Sequence, residues 1–176
     1  DAVGDDPSGG FRHPGATDNA AAVAVLLELA RTLTRTSFRP RRPLVLVAFD
    51  AEEVGAHGSH PLALQYKGIG HTPLLLNLDG AARQNGAVWV EPGTHTESLL
   101  QALDQAGRWL GIPLILGNIA SDQRQFTREG FSAVGLSVGA AKLHTPADAI
   151  EQVELAALSR SVSLLLATIW QLAWEA

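Results

Sequence analysis

Leu44 to Phe49 is an unbroken apolar run, and two adjacent carboxylates, Glu52 and Glu53, stand just beyond it, followed by Val54 and Gly55. An apolar run of that length between turn residues predicts a strand covered on both faces. Carboxylates are costly to bury unless something pairs with them. Two of them at the carboxyl end of a core strand predict a cation, a solvent-filled crevice, or both.

The segments around that run set its context. Residues 1–17, rich in Gly, Pro and Asp, predict a loop. Ala20 to Thr36 predicts a helix, with Leu26, Leu29, Ala30 and Leu33 at helical spacing. Asp18 stands where a capping residue is favoured. After the glutamates a short helix is expected through Leu64 to Tyr66. Pro73 to Leu78 predicts a second buried strand, ending in Asp79, and Ala87 to Val90 a short strand nearer an edge. Glu97 to Leu110 predicts an amphipathic helix, striped by Leu99, Leu100, Leu103, Ala106 and Leu110. Leu114 to Leu116 predicts a strand, Ser121 to Glu129 a small helix, and Ala133 to Val138 a third core strand, followed by a loop with His144. Val153 to Trp174 predicts a long closing helix.

Helices alternating with apolar strands predict a three-layer α/β fold, with a mostly parallel central sheet and helices on both faces, as one domain over residues 1–176. Ligands of such sheets bind beyond the carboxyl ends of the strands. Glu52, Glu53, Asp79 and His144 all arrive at that rim, and Asp18 heads a helix that can reach it. Each alone also reads as a solvated loop residue. Together they do not.

Composition narrows the chemistry. The chain is 46% hydrophobic and 18% charged, with a formal net charge of −5. Its basic residues cluster only at Arg39-Pro40-Arg41-Arg42, which argues against a nucleic-acid partner. No apolar run is expected to span a membrane, because Ser163, Thr168 and Gln171 interrupt the most apolar segment, Val162 to Ala173. The absence of cysteine excludes disulfides and thiolate metal sites. The absence of methionine leads us to expect a longer translation product, so that secreted and cytoplasmic locations both remain open, as does the oligomeric state.

Asp18, Glu53, Asp79 and His144 are oxygen and nitrogen donors suited to Zn²⁺, with Mn²⁺ or Co²⁺ as alternatives. Bridging carboxylates would let them hold two cations roughly 3.5–4 Å apart. Glu52 would remain free as a general base toward a water acidified by the cations. Asp148 stands four residues after His144 and either holds the second ring nitrogen or caps the last helix.

These residues carry a resemblance. Gly15-Ala16-Thr17-Asp18-Asn19, Phe49-Asp50-Ala51-Glu52-Glu53-Val54-Gly55 with Gly58-Ser59, and Asn77-Leu78-Asp79 resemble, in order, the motifs of the M28 family of zinc aminopeptidases. So do Ser121-Asp122 with Phe126 and His144-Thr145-Pro146-Ala147-Asp148. The resemblance implies a zinc-exopeptidase-like fold and a peptide substrate. It makes Asp18 the bridging ligand, Glu52 the base, Glu53 and His144 ligands of one zinc, Asp79 a ligand of the other, and Asp122 a neighbour of the site. Asp1 fits the aspartate of an upstream His-x-Asp motif, so the expected partner histidine precedes the chain and the first part of the family domain is expected to be missing. The 176 residues alone are then expected to be weakly active or inactive. Gln123 stands where the family has a histidine and is expected to alter substrate contacts. His57, His60 and His13 are weaker ligand candidates. A glutaminyl-cyclase-like enzyme with one zinc on Asp18, Glu53 and His144 is the alternative reading, and a catalytically silent domain of the same fold is another.

Overall fold

The computed structural model describes residues 3–5, 8–36 and 40–174. Near its start, where only a loop is expected, β1 (Gly4–Asp5) pairs antiparallel with β2 (Arg12–His13). Helix α1 (Ala21–Arg35) follows a kinked turn over Ala16–Ala20, and α2 (Ser59–Gly68) follows the two glutamates. The central sheet is built from β3 (Leu74–Leu78), β4 (Val88–Pro92), β5 (Leu114–Leu116) and β6 (Ser132–Ser137). Between these run α3 (Glu97–Leu110) and α4 (Gln123–Arg128), and α5 (Leu155–Trp174) closes the chain.

The strand order is β3-β6-β4-β5. β3 runs parallel to β6 and β4 parallel to β5, while β4 and β6 are antiparallel. The sheet is thus mostly parallel, as the alternation of elements predicts. β4, expected nearer an edge, has a neighbour on each side, and β5 takes the edge.

The pleat sorts the side chains onto two faces. From β3 and β6, Leu76, Leu78, Val134 and Leu136 join Val25 and Leu29 of α1, Leu99 and Leu103 of α3, and Leu164 and Leu165 of α5. The intervening Leu75 and Ala133 turn to the opposite face, against Ala63 of α2, Phe126 of α4 and Phe131. Helices therefore cover both faces. α3 ends where Gly111 takes the left-handed conformation that closes helices (φ 65°), and the Leu110 side chain, expected in the stripe, is exposed. Over Leu155–Ala173, α5 is long and apolar enough to cross a membrane by length and composition, with a mean hydropathy of 1.4 over 19 residues. It packs against α1 and α3. Its inner polar groups are satisfied there: Thr168 Oγ1 donates to the Leu164 carbonyl, and Gln171 Nε2 to that of Ala102.

One expectation is corrected. Leu44 to Phe49 does not form a buried strand. It is extended but pairs with no strand among the described residues, and Val45 is 64% exposed. Pro43 to Phe49 and Pro73 to Leu78 both line a groove of about 910 Å³, together with residues of α1 and α5. Apolarity alone therefore does not bury this run. Its backbone joins no sheet among the described residues.

Candidate functional site

Asp18 is placed by the kink before α1. Gly15 turns the chain through the left-handed region (φ 64°), and Asp18 and Asn19 depart from helical geometry with a cis peptide between them. The Asp148 carboxylate, 2% exposed, accepts the Thr17 N–H at 2.7 Å and the Asp18 N–H at 3.2 Å. Asp148 thus holds the loop that carries Asp18.

Glu52 and Glu53 sit in a tight turn between the extended segment and α2. The Glu52 carbonyl accepts the Gly55 and Ala56 N–H groups, the Ala51 carbonyl accepts that of His57, and the Asp50 carbonyl that of Gly58. Gly58 is required: a Cβ there would lie 2.6 Å from the Asp50 carbonyl oxygen. The turn sends Glu53 toward His144, whose loop is drawn in by bonds from the Thr145 N–H and hydroxyl to the Lys142 carbonyl. His144 Nε2 lies 2.8 Å from Glu53 Oε1 and 3.2 Å from Asp18 Oδ2. Asp18, Glu53 and His144 each offer a ligand atom, and these atoms all lie within 4.8 Å of one another.

Asp79 follows β3, with its N–H held by the Leu136 carbonyl. Burial raises its carboxyl above the ordinary range. The Ser121 hydroxyl partly offsets this, and the charge of Glu53 adds to it. Asp18 is pushed up to about 7, first by burial and then by Asp79 and Glu53. Glu52 is also pushed up to about 7, by burial and then by Asp79, Glu53 and Asp122. Asp122, 2% exposed, is raised by burial, an effect that Ser59 reduces and Asp79 reinforces. For His144, burial acts to lower the pKa, but Glu53 and Asp18 outweigh it and leave it raised. Five carboxyl groups therefore share one electrostatic neighbourhood with a single imidazole. Such crowding calls for a cation. An O, O, N donor set at this spacing fits a divalent ion of the zinc type.

The other expected residues fall outside the ligand cluster. Asp1 lies outside the described residues. Gln123 is 1% exposed; its Oε1 accepts from Asn77 Nδ2 at 3.0 Å, and its amide lies against Gly135. His57 and His60 are exposed, and His13 lies in β2. None of the three joins the cluster among the described residues. Sequence reasoning quoted Thr17, Asn19 and Asn77 in its motifs but gave them no role. Asn77 Nδ2 also donates to Ser121 Oγ at 3.1 Å. The only signal for these residues was their place in the motifs that carry Asp18 and Asp79.

The family described as Peptidase family M28 matches residues 1–169. The structure superposes on the LapA aminopeptidase of Legionella pneumophila with a TM-score of 0.83 at 20% identity, covering 92% of this chain and 47% of that one. BSAP, a zinc aminopeptidase from Bacillus subtilis, gives a TM-score of 0.77 at 25% identity, covering 90% of this chain and 42% of that one. A probable zinc metalloprotease of Pyrenophora tritici-repentis is 42% identical over 67 residues, which are 38% of this chain and 15% of that protein. The chain thus spans less than half the length of these solved structures and a smaller share of the curated relative.

Proposed function

From the premise that this chain belongs to peptidase family M28, we propose that it carries the general base and most of the metal ligands of a zinc-dependent aminopeptidase. The observation that carries the proposal is the convergence of Asp18, Glu53 and His144 within 4.8 Å, with Glu52 beside them and its pKa near 7. A general base works best when its pKa lies close to the operating pH.

Asp18, Glu53 and His144 would hold a zinc ion, and Asp79, whose charge acts on Asp18, would hold a second. Zinc there supplies Lewis acidity toward water and the scissile carbonyl. The residues of the chain do the rest. Glu52 takes a proton from the attacking water and passes it to the leaving nitrogen. The new C–O bond forms as the carbonyl π bond opens, the C–N bond breaks once its nitrogen is protonated, and the products are a free amino acid and a shortened peptide. The likeness to solved aminopeptidases such as BSAP supports an aminopeptidase over a carboxypeptidase.

The test is turnover by the full-length protein of an aminoacyl anilide beside an N-terminal glutaminyl peptide. Hydrolysis of the anilide is expected, with kcat reduced about 10²–10⁴-fold in Glu52→Gln at unchanged zinc content. Cyclisation of the glutaminyl peptide with no anilide hydrolysis would instead favour a single-zinc cyclase on the same three ligands. Unchanged turnover in Glu52→Gln would remove Glu52 as the base.

A further inference from the structure

The acids of the site come from segments far apart in sequence, so contacts between those segments must set their spacing. Asp18 stands between two buried side chains that grip different segments. Thr17, fully buried, donates its hydroxyl to the Ala141 carbonyl at 2.8 Å and accepts the Ala141 N–H at 3.2 Å. Ala141 lies three residues before His144. Asn19, 8% exposed, donates Nδ2 to the Leu78 carbonyl at 3.0 Å and accepts the Gly80 N–H on Oδ1 at 3.3 Å. Leu78 and Gly80 are the two neighbours of Asp79.

Each residue thus makes a two-point attachment. One bond would leave the partner peptide free to swivel. Two bonds, one to a donor and one to an acceptor, fix both its distance and its orientation. The tripeptide is itself anchored from below, where Asp148 holds the Thr17 and Asp18 N–H groups. We infer that Thr17 and Asn19 are positioning residues: Thr17 indexes the His144 loop to Asp18, and Asn19 indexes Asp79 to Asp18. This rests on the metallopeptidase reading above and adds to it a division of labour. Thr17 governs the ion held by Asp18, Glu53 and His144, and Asn19 governs an ion held by Asp18 and Asp79.

Co²⁺ titration of the metal-stripped full-length protein, followed by absorbance, tests this, with thermal unfolding of the metal-free form measured alongside. Thr17→Val keeps the side-chain shape and removes both bonds. It is expected to weaken the first equivalent of Co²⁺ about 10–100-fold, the usual range for groups that orient metal ligands. Thr17→Ser, which keeps the hydroxyl, is expected to restore most of that affinity. Asn19→Leu and the smaller Asn19→Ala are expected to spare the first equivalent and weaken the second, and making both keeps the test readable if one does not fold. Co²⁺ binding by the variants equal to that of the parent overturns the inference. So does a loss of affinity that merely follows the fraction of protein unfolded at the assay temperature. A parent protein that takes up neither Co²⁺ nor Zn²⁺ overturns the metallopeptidase reading itself.

Discussion

Stripped of divalent cations, the protein is expected to lose stability as pH rises from about 4.5 to 7. The carboxyl of Asp18 is displaced from 3.8 to about 7 by burial and by its acidic neighbours. Between those values the folded state holds a proton that the unfolded chain has released. The stability it contributes is therefore complete below the unfolded pKa and is lost as pH climbs toward the folded one. Each pH unit of that window corresponds to about 1.4 kcal/mol, so Asp18 alone accounts for at most about 4 kcal/mol by pH 7. Glu52 acts in the same direction, screened by solvent. Carboxylates of the opposite kind do not mask the effect. The pKa of Glu129 is lowered by Lys67, and that of Glu91 by Arg124 and two backbone N–H groups against the effect of its burial. Their contributions change only below the ordinary glutamate value. His144, raised overall, reinforces the decline above pH 6.5. The assay is urea unfolding, read from the four tryptophans, at pH 4.5, 5.5, 6.5 and 7.5 in chelator and again with saturating Zn²⁺. In chelator, stability falls with pH. With Zn²⁺ the trend reverses, because the ligands bind in their deprotonated forms. Asp18→Asn is expected to flatten the chelator series, to raise metal-free stability at pH 7 by about 2–4 kcal/mol, and to abolish the effect of Zn²⁺. Metal-free stability that is flat or rising across this window, or an Asp18→Asn protein less stable than its parent at pH 7, would refute the reasoning.

Two further perturbations test how the site is supported. Phe126 is 1% exposed, with ring centroids 6.1 Å from Phe49 and 6.0 Å from Phe131, so Phe126→Ala is expected to cost about 3–5 kcal/mol in urea unfolding; a cost under about 1 kcal/mol contradicts the packing described. Gly58→Ala places a methyl group 2.6 Å from the Asp50 carbonyl oxygen and 2.8 Å from the Asp50 nitrogen, which must displace the turn carrying Glu52 and Glu53. Zn²⁺ affinity by calorimetry is expected to fall about tenfold or more while circular dichroism stays that of the parent, and unchanged affinity speaks against a role for that turn in placing Glu53.

Much of this was legible in the sequence because it depends on local pattern. α3 begins and ends where its apolar stripe and Gly111 require. The strand carrying Asp79 and the glutamate turn read directly from apolar runs that end in acids. Asp18, Glu53 and His144 stood out because charges at strand and helix ends need a reason to be there. The exposure of Leu44 to Phe49 was not legible, since whether an apolar run is covered depends on a partner edge. The antiparallel placing of β4 beside β6 was equally invisible, as pairing is a relation between distant segments. So was the work of Asp148, whose residue type permits a bond to an imidazole as readily as one to a backbone N–H. Sequence alone determined which groups were available and on which kind of element each would sit, because periodicity and turn chemistry act over a few residues. Only the tertiary structure decided which of those groups meet, because Thr17, Asn19 and Asp148 find their partners through bonds to segments 59 to 131 residues away.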